Sequence, residues 1–306
     1  MRTFWHLLSA TLAAFFLLVT GCDTSTPTPE PEVVVEAYLQ ANAPLDSVFL
    51  TRVVAADETF DPSSGVRNAG VQITQVAPDG TPVKTFAYEE VWEGMYAPVD
   101  AADARVQPRH TYRLRVVVPG GEPITASTTV PGAIAVVRAE NVEAVYQGPQ
   151  QPSLTVTRSE SRLQQNVFVF TTTSQLDFSR SEDSLRAHLT PFYADAIEDD
   201  QSVSDLRVTS SGLLNEGNFT VNPEGTITIE LPWLAVAFYG PNETAISAVD
   251  ENLFDFLRTQ QAQQGGLAPG EIPNVLDPIE GGVGVFGSYA RATQEVTIRR
   301  PGSEQP

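Results

Sequence analysis

Hydrophobic and polar positions along this chain alternate at strand period far more often than they recur at helical spacing. Val33–Leu39 (VVVEAYL) is β-rich, and Ser47–Val54 (SVFLTRVV) follows after the turn residues Asn42, Ala43 and Pro44. Val71–Val76 runs Val, Gln, Ile, Thr, Gln, Val; Pro78-Asp79-Gly80 then marks a turn, and Val83–Tyr88 reads as the returning strand of a hairpin. Gly94-Met95-Tyr96 starts a short strand. In Thr111–Val118 (TYRLRVVV) Tyr112, Leu114 and Val116 share one face, and Pro119-Gly120-Gly121 turns the chain into Ile124–Val130. Seven short strands at this spacing predict an immunoglobulin-like β-sandwich over residues 33–131, with Pro131-Gly132 as its boundary.

Residues 132–300 predict a second β-rich domain with one helix. Its candidate strands are Ala133–Val145, Ser153–Arg158, Asn166–Thr173, Asp205–Ser210, Asn218–Val221, Thr226–Leu231, Leu234–Tyr239 and Gln294–Arg299. The helix runs from about Val249 to Gln264. Ser247 and Asp250 have capping-box spacing, Leu253, Phe254 and Leu257 form an apolar stripe, and Gly265-Gly266 stops it. The stripe reads as a packing face. The acidic stretch Tyr193–Asp205 reads as a long loop, and residues 301–306 as a polar tail. No repeat of fixed period is present.

The first 21 residues have a different pattern. Arg2 supplies a positive start, and Leu7–Val19 is apolar apart from Ser9 and Thr11. That run makes roughly 20 Å of helix at about 1.5 Å per residue, short of a bilayer core of roughly 30 Å. It reads as a signal peptide over residues 1–21. The run ends in Val19-Thr20-Gly21-Cys22, which resembles the bacterial lipobox. Gly21 leaves the backbone open to a peptidase, and the Cys22 thiol is the expected acyl acceptor. Cys22 is the only cysteine, so it has no disulfide partner within the chain. Residues 22–32 continue with Pro at alternate positions, an extended tether between lipid and folded protein.

Composition then narrows the class. The 306 residues are 42% hydrophobic, enough for a substantial core. The net charge is −20, and loss of Arg2 with the signal peptide takes it to −21. Such a charge argues against nucleic acid and against an electrostatic grip on anionic lipid. Lys84 is the sole lysine. Many carboxylates with almost no lysine imply adaptation to high salt, where counterions screen self-repulsion. A GC-rich genome, favouring Arg and Ala codons, is the alternative source of the same bias.

Candidate chemistry is sparse. Beyond residue 21 the only histidines are His110 and His188, so a Cys/His zinc site is not expected. No Gly-x-Ser-x-Gly elbow surrounds a serine that either histidine could serve. Carboxylates are too numerous for a glycosidase-like pair to be identified by counting. Asp195, Glu198, Asp199, Asp200 and Asp205 lack the alternating spacing of an EF-hand and read as a solvated charge run. The segment Gly281-Gly282-Val283-Gly284-Val285-Phe286-Gly287 lacks the Lys-Ser/Thr ending of a phosphate-binding loop. Its glycines fit positive φ and close backbone approach at a bulge or strand crossing, with Phe286 and Tyr289 as anchors. If the chain has a binding surface, this segment and its neighbours are where the sequence places it. No catalytic residue, metal ligand or cofactor site is assigned, and the chain is not expected to be an enzyme.

Several of these segments occur in an order that resembles a known family. They are Val34–Leu39, then Ala69–Ile73 with Asp79-Gly80, then Gly94-Met95-Tyr96. Tyr112–Val116, Ala126–Pro131 and Ile279–Tyr289 follow, the last being the most specific. Together with the lipobox they are similar to the Bacteroidota lipoproteins grouped as domain-of-unknown-function family 4249. The resemblance is weakest over residues 147–201. It implies an envelope lipoprotein, held by lipid on Cys22 to the outer membrane and often encoded near TonB-dependent receptors. The expectation is therefore a non-catalytic accessory or binding protein of a TonB-dependent outer-membrane transporter. A cell-surface structural or adhesive module is the alternative, and an envelope hydrolase using carboxylates ranks third.

Overall fold

In the computed structural model the described residues are 32–53, 65–100, 104–159, 166–197, 201–264 and 278–302. The expected signal peptide, Cys22 and tether up to residue 31 lie outside them, as do Glu198, Asp199, Asp200 and residues 303–306. The described chain is mostly β, with one large mixed sheet and a second, four-stranded sheet.

The first strands follow the alternation of the sequence closely. They are β1 (Val33–Gln40), β2 (Val48–Arg52), β3 (Gly70–Val76), β4 (Pro82–Trp92), β5 (Met95–Pro98), β6 (Thr111–Val117) and β7 (Ile124–Thr129). Residues 136–145 form β8 (Val136–Glu140) and β9 (Glu143–Val145), one predicted strand broken in two. Then come β10 (Ser153–Thr157), β11 (Val167–Ser174), β12 (Val208–Asn215), β13 (Thr220–Val221), β14 (Thr226–Glu230) and β15 (Gly240–Val249). The last pair is β16 (Ile279–Glu280) and β17 (Val283–Arg299).

In the large sheet β17 lies beside β1, and the path continues through β2, β5, β4, β3, β6 and β7 to β16. Only Gly281 and Gly282 separate β16 from β17. The chain thus leaves a pairing with β7 (Ile279 opposite Ala126) and enters a parallel pairing with β1 (Val34 opposite Val283). That change of partner joins the two ends of the path, as when a strand switches sheets at the corner of a sandwich. The alternation fills the space between with buried Val35, Leu39, Leu50, Tyr96, Tyr112, Leu114 and Phe286. β17 then runs on, pairing antiparallel with β15, which pairs β11, which pairs β12. Strand pairs therefore join residues on both sides of the expected 131/132 boundary, and Val33–Pro306 cluster as one compact unit. The smaller sheet, in the order β13-β14-β10-β8, buries Leu154, Val156, Ile227 and Ile229 in the same core as β1 and β6.

Four local expectations are corrected. Leu234–Tyr239 is not a strand; a 3-10 turn occupies Trp233–Ala235, and the strand begins at Gly240. β15 itself is absent from the expected strands, yet it sits between β11 and β17 and is mostly buried. The predicted strand Gln294–Arg299 is only the end of the 17-residue β17. The acidic stretch is not one loop: a helix spans Pro191–Ala196, a 3-10 turn spans Val203–Arg207, and Val203 is fully buried. With the preceding helix Glu182–Arg186 these short elements close a satellite core of Leu185, Leu189, Val203, Ala237 and Phe238. Helices of five or six residues fall below the window in which periodicity is visible. In chain order the helices are α1 (Glu182–Arg186), α2 (Pro191–Ala196) and α3 (Glu251–Gln264), the last being the helix expected near 249–264.

Candidate functional site

The glycine-rich segment lies at the strand crossing. Gly281 and Gly284 have φ of +81° and +116°, a region L side chains rarely adopt. A Cβ on Gly284 would stand 2.1 Å from the Val35 carbonyl oxygen of β1. One on Gly282 would stand 2.9 Å from the Val33 carbonyl oxygen. Gly287 is different: its φ is not in the left-handed region, and a Cβ there would meet the Leu253 Cβ of α3 at 2.9 Å. The glycines therefore let β17 press against β1 on one side and α3 on the other. Phe286 is fully buried, and the Tyr289 hydroxyl donates to Gln40 Oε1 at 3.2 Å. The segment contacts its own fold on both sides.

Next to it is a buried polar cluster that sequence reasoning missed. Asp250, between β15 and α3, is 5% exposed. Its carboxylate accepts from Thr128 Oγ1 at 2.6 Å, Ser288 N at 2.9 Å and Leu253 N at 3.0 Å. The bond from Leu253 N makes Asp250 itself the N-cap of α3, so the expected Ser247–Asp250 capping box is corrected. Ser247 instead sits in β15, where its hydroxyl accepts from Arg291 Nε at 3.2 Å. Asn252 donates to the carbonyls of Ser127 and Phe286, both at 2.8 Å. Asp250 and Asn252 thus tie α3 to β7 and β17 at the crossing. Burial raises the Asp250 pKa above its ordinary value, against the lowering effect of the bonds from Ser288, Thr128 and Leu253. The missed signal was Asp250 directly before a helix, with Thr128 and Ser288 inward on strands.

The histidines are far from this cluster in role. His188 Nδ1 donates to Ser184 O at 2.8 Å and His110 Nδ1 to Pro108 O at 2.9 Å. Both are bonded to backbone carbonyls within local turns, with no serine hydroxyl or carboxylate partner among the described residues. Among the described residues no group of three His, Cys, Asp or Glu converges as a metal site would need. Of the acidic run, Asp195 lies in α2 and Asp205 in the 3-10 turn.

The outer face of the sheet carries a surface the sequence did not single out. Phe49, Met95 and Trp92 stand opposite one another across β2, β5 and β4. Phe49 is 44% exposed and Trp92 76%. Glu36 of β1 lies opposite Phe49 and extends the row with a carboxylate. Residues paired across adjacent strands point to one face, so this is a single apolar row open to solvent. Among the described residues no helix is long and apolar enough to cross a membrane.

No curated protein matches the chain significantly. Among solved structures it is similar to a tetra-tandem repeat from the extending region of a large adhesion protein. The identity is 13%, the match covers 86% of this chain and 48% of that one, and the TM-score is 0.22. It is also similar to Salmonella alpha-2-macroglobulin reacted with methylamine, at 10% identity, 87% and 14% coverage and a TM-score of 0.23. A 1.5-MDa bacterial ice-binding adhesin gives 9%, 89% and 66% with a TM-score of 0.20. The chain spans about half the length of the first of these and about a seventh of the second. The family described as Domain of unknown function (DUF4249) matches residues 20–295, nearly the whole chain including Cys22 and the glycine crossing, and the chain belongs to that family.

Proposed function

We propose that this protein is a lipid-anchored envelope lipoprotein of the Bacteroidota that binds a membrane partner and performs no chemistry of its own. The partner in this reading is a TonB-dependent outer-membrane transporter. The observation that carries it is the exposed row Phe49, Met95 and Trp92. Aromatic and thioether side chains are enriched at protein interfaces and depleted on free surface, and a contiguous exposed patch marks a site of association. The Val19-Thr20-Gly21-Cys22 motif supports the anchor, and the Pro-rich residues 23–32 support a tether.

The test is a pull-down of the full chain from native membranes. A β-barrel receptor should co-purify with the wild type. The double variant Phe49→Ser/Trp92→Ser should lose it while staying folded and membrane-bound, since truncated hot spots cost about 2 kcal/mol or more. A polymer captured without a receptor would make the protein an adhesive module. A receptor held equally by the double variant would refute the role of the row. Cys22→Ser should leave the protein uncleaved or released into the soluble fraction, read by detergent phase partition.

The acidic surface belongs to the same reading, as adaptation to high salt. The melting temperature should rise substantially as NaCl goes from millimolar to molar, because the Debye length falls from roughly 30 Å to about 3 Å. Sulfate at matched ionic strength separates screening from solute exclusion, which is stronger for sulfate. A flat melting temperature in chloride would leave codon bias as the account of the missing lysines.

A further inference from the structure

One corner of this acidic molecule is basic. A cleft of about 590 Å³ opens where the β3–β4 hairpin loop leans over the ends of β6 and β7. Its floor is the outer-face row Val76, Thr111 and Thr129, which pair across three strands. Pro78 and Gly80 of the hairpin turn form one wall. The charged lining comes from Arg109 and Arg113, with the His110 ring beside them, and among the described residues no carboxylate lines the cleft. In a chain with 38 acidic and 18 basic residues, that composition is the reverse of the average surface.

The lining is also fixed in place. Arg109 is held at a φ of +63°, a conformation few non-glycine residues adopt, and its backbone N–H donates to Val130 O at 2.9 Å. The Val130 N–H returns a bond to His110 O at 3.0 Å. The bond between His110 Nδ1 and Pro108 O fixes the orientation of the ring at the cleft. The Arg113 guanidinium has no hydrogen bond or ion pair among the described residues. The hydroxyls of Thr111 and Thr129 lie 2.9 Å apart on the floor. Asp79 at the hairpin tip is the nearest carboxylate in sequence, and it accepts from Thr81 N at 2.9 Å and Thr81 Oγ1 at 2.7 Å.

From this placement we infer that the cleft binds a small phosphate-bearing anion. Guanidinium forks match the oxygens of a phosphate, and Arg113 supplies a permanent charge beside the Thr111–Thr129 hydroxyl pair. The cleft volume falls in the range of about 300–1,000 Å³ common for small-molecule sites. A cleft lined by one sign of charge focuses the local field, and salt screens the more distant carboxylates.

The test uses the full chain in a non-ionic sugar detergent at fixed ionic strength, with ³¹P line broadening and equilibrium dialysis as readouts. Inorganic phosphate and glycerol 3-phosphate represent free phosphate monoesters, and glycerophosphoglycerol represents a lipid headgroup diester. Saturable binding of the monoesters alone identifies a soluble phosphate ester as the ligand. Saturable binding of the diester identifies a headgroup. In either case Arg113→Gln should weaken binding tenfold or more. Arg115→Gln, which removes a neighbouring outer-face arginine that does not line the cleft, should leave it unchanged. Absence of saturable binding by every probe, or equal binding by Arg113→Gln and wild type, overturns the inference.

Discussion

Gly284→Val is expected to lower folding stability by at least about 2 kcal/mol, the largest effect of any single glycine substitution at the crossing. Two costs add there. A β-branched residue at a φ of +116° is strained by about 1–3 kcal/mol. The new Cβ would also stand 2.1 Å from the Val35 carbonyl oxygen, so β1 and β17 must separate where they pair. Overpacking of this kind costs a further 1–3 kcal/mol or so. Gly80→Val separates the two terms, since Gly80 has a φ of +83° with nothing within 4 Å of a Cβ. Gly287→Val has the opposite balance, with a steric contact at Leu253 and no left-handed φ. Chemical denaturation should rank Gly284 above both. A Gly284→Val midpoint no lower than that of Gly80→Val would remove the close approach from the account.

Asp250→Ala should destabilise by about 3 kcal/mol or more. It strands the Ser288 and Leu253 N–H groups inside the protein, where each buried unpaired donor costs about 1–3 kcal/mol, and leaves the Thr128 hydroxyl only its bond with Ser288 Oγ. It also removes the N-cap of α3, worth about 1 kcal/mol. The same residue gives the protein a pH dependence. Burial raises its pKa above the ordinary 3.8, so the folded state holds this proton more tightly than the unfolded chain. Its contribution to stability is therefore fully present below about pH 3.8 and is lost as pH rises through the raised folded value. Asp79 and Asp177 shift in the other sense, their pKa values lowered by hydrogen bonds from Thr81 and Ser179, so only a difference isolates Asp250. The stability of the wild type minus that of Asp250→Asn should fall as pH rises through that window. A difference independent of pH would mean Asp250 titrates alike in both states.

The parts of this fold visible in the sequence are those where one face of a strand meets water. Tyr112, Leu114 and Val116 alternate with Arg113 and Arg115, and β6 appears almost residue for residue where the alternation places it. β15 was hidden because six consecutive residues, Thr244–Val249, are buried and the alternation vanishes. Its polar start, Gly240–Asn242, mimics a turn. The pairing of β1 with β17 lies more than 240 positions away in sequence, and nothing local in either strand announces it. At the candidate site the glycines were legible as a crossing because positive φ and close approach leave glycine as the usual solution. Asp250 was not, since its partners Thr128 and Ser288 come from other strands and are brought together only by folding. The Phe49–Met95–Trp92 row was invisible for a related reason: its members sit on three strands, and an exposed aromatic in one strand looks like any core residue.

The central claim is that the folded part is displayed at a membrane by lipid on Cys22. The most direct test is intact mass spectrometry of the protein purified from its native membranes. The account predicts a mature chain that begins at Cys22 and carries acyl chains on that residue. A chain starting elsewhere, or an unmodified Cys22 thiol in the membrane-associated protein, would contradict it.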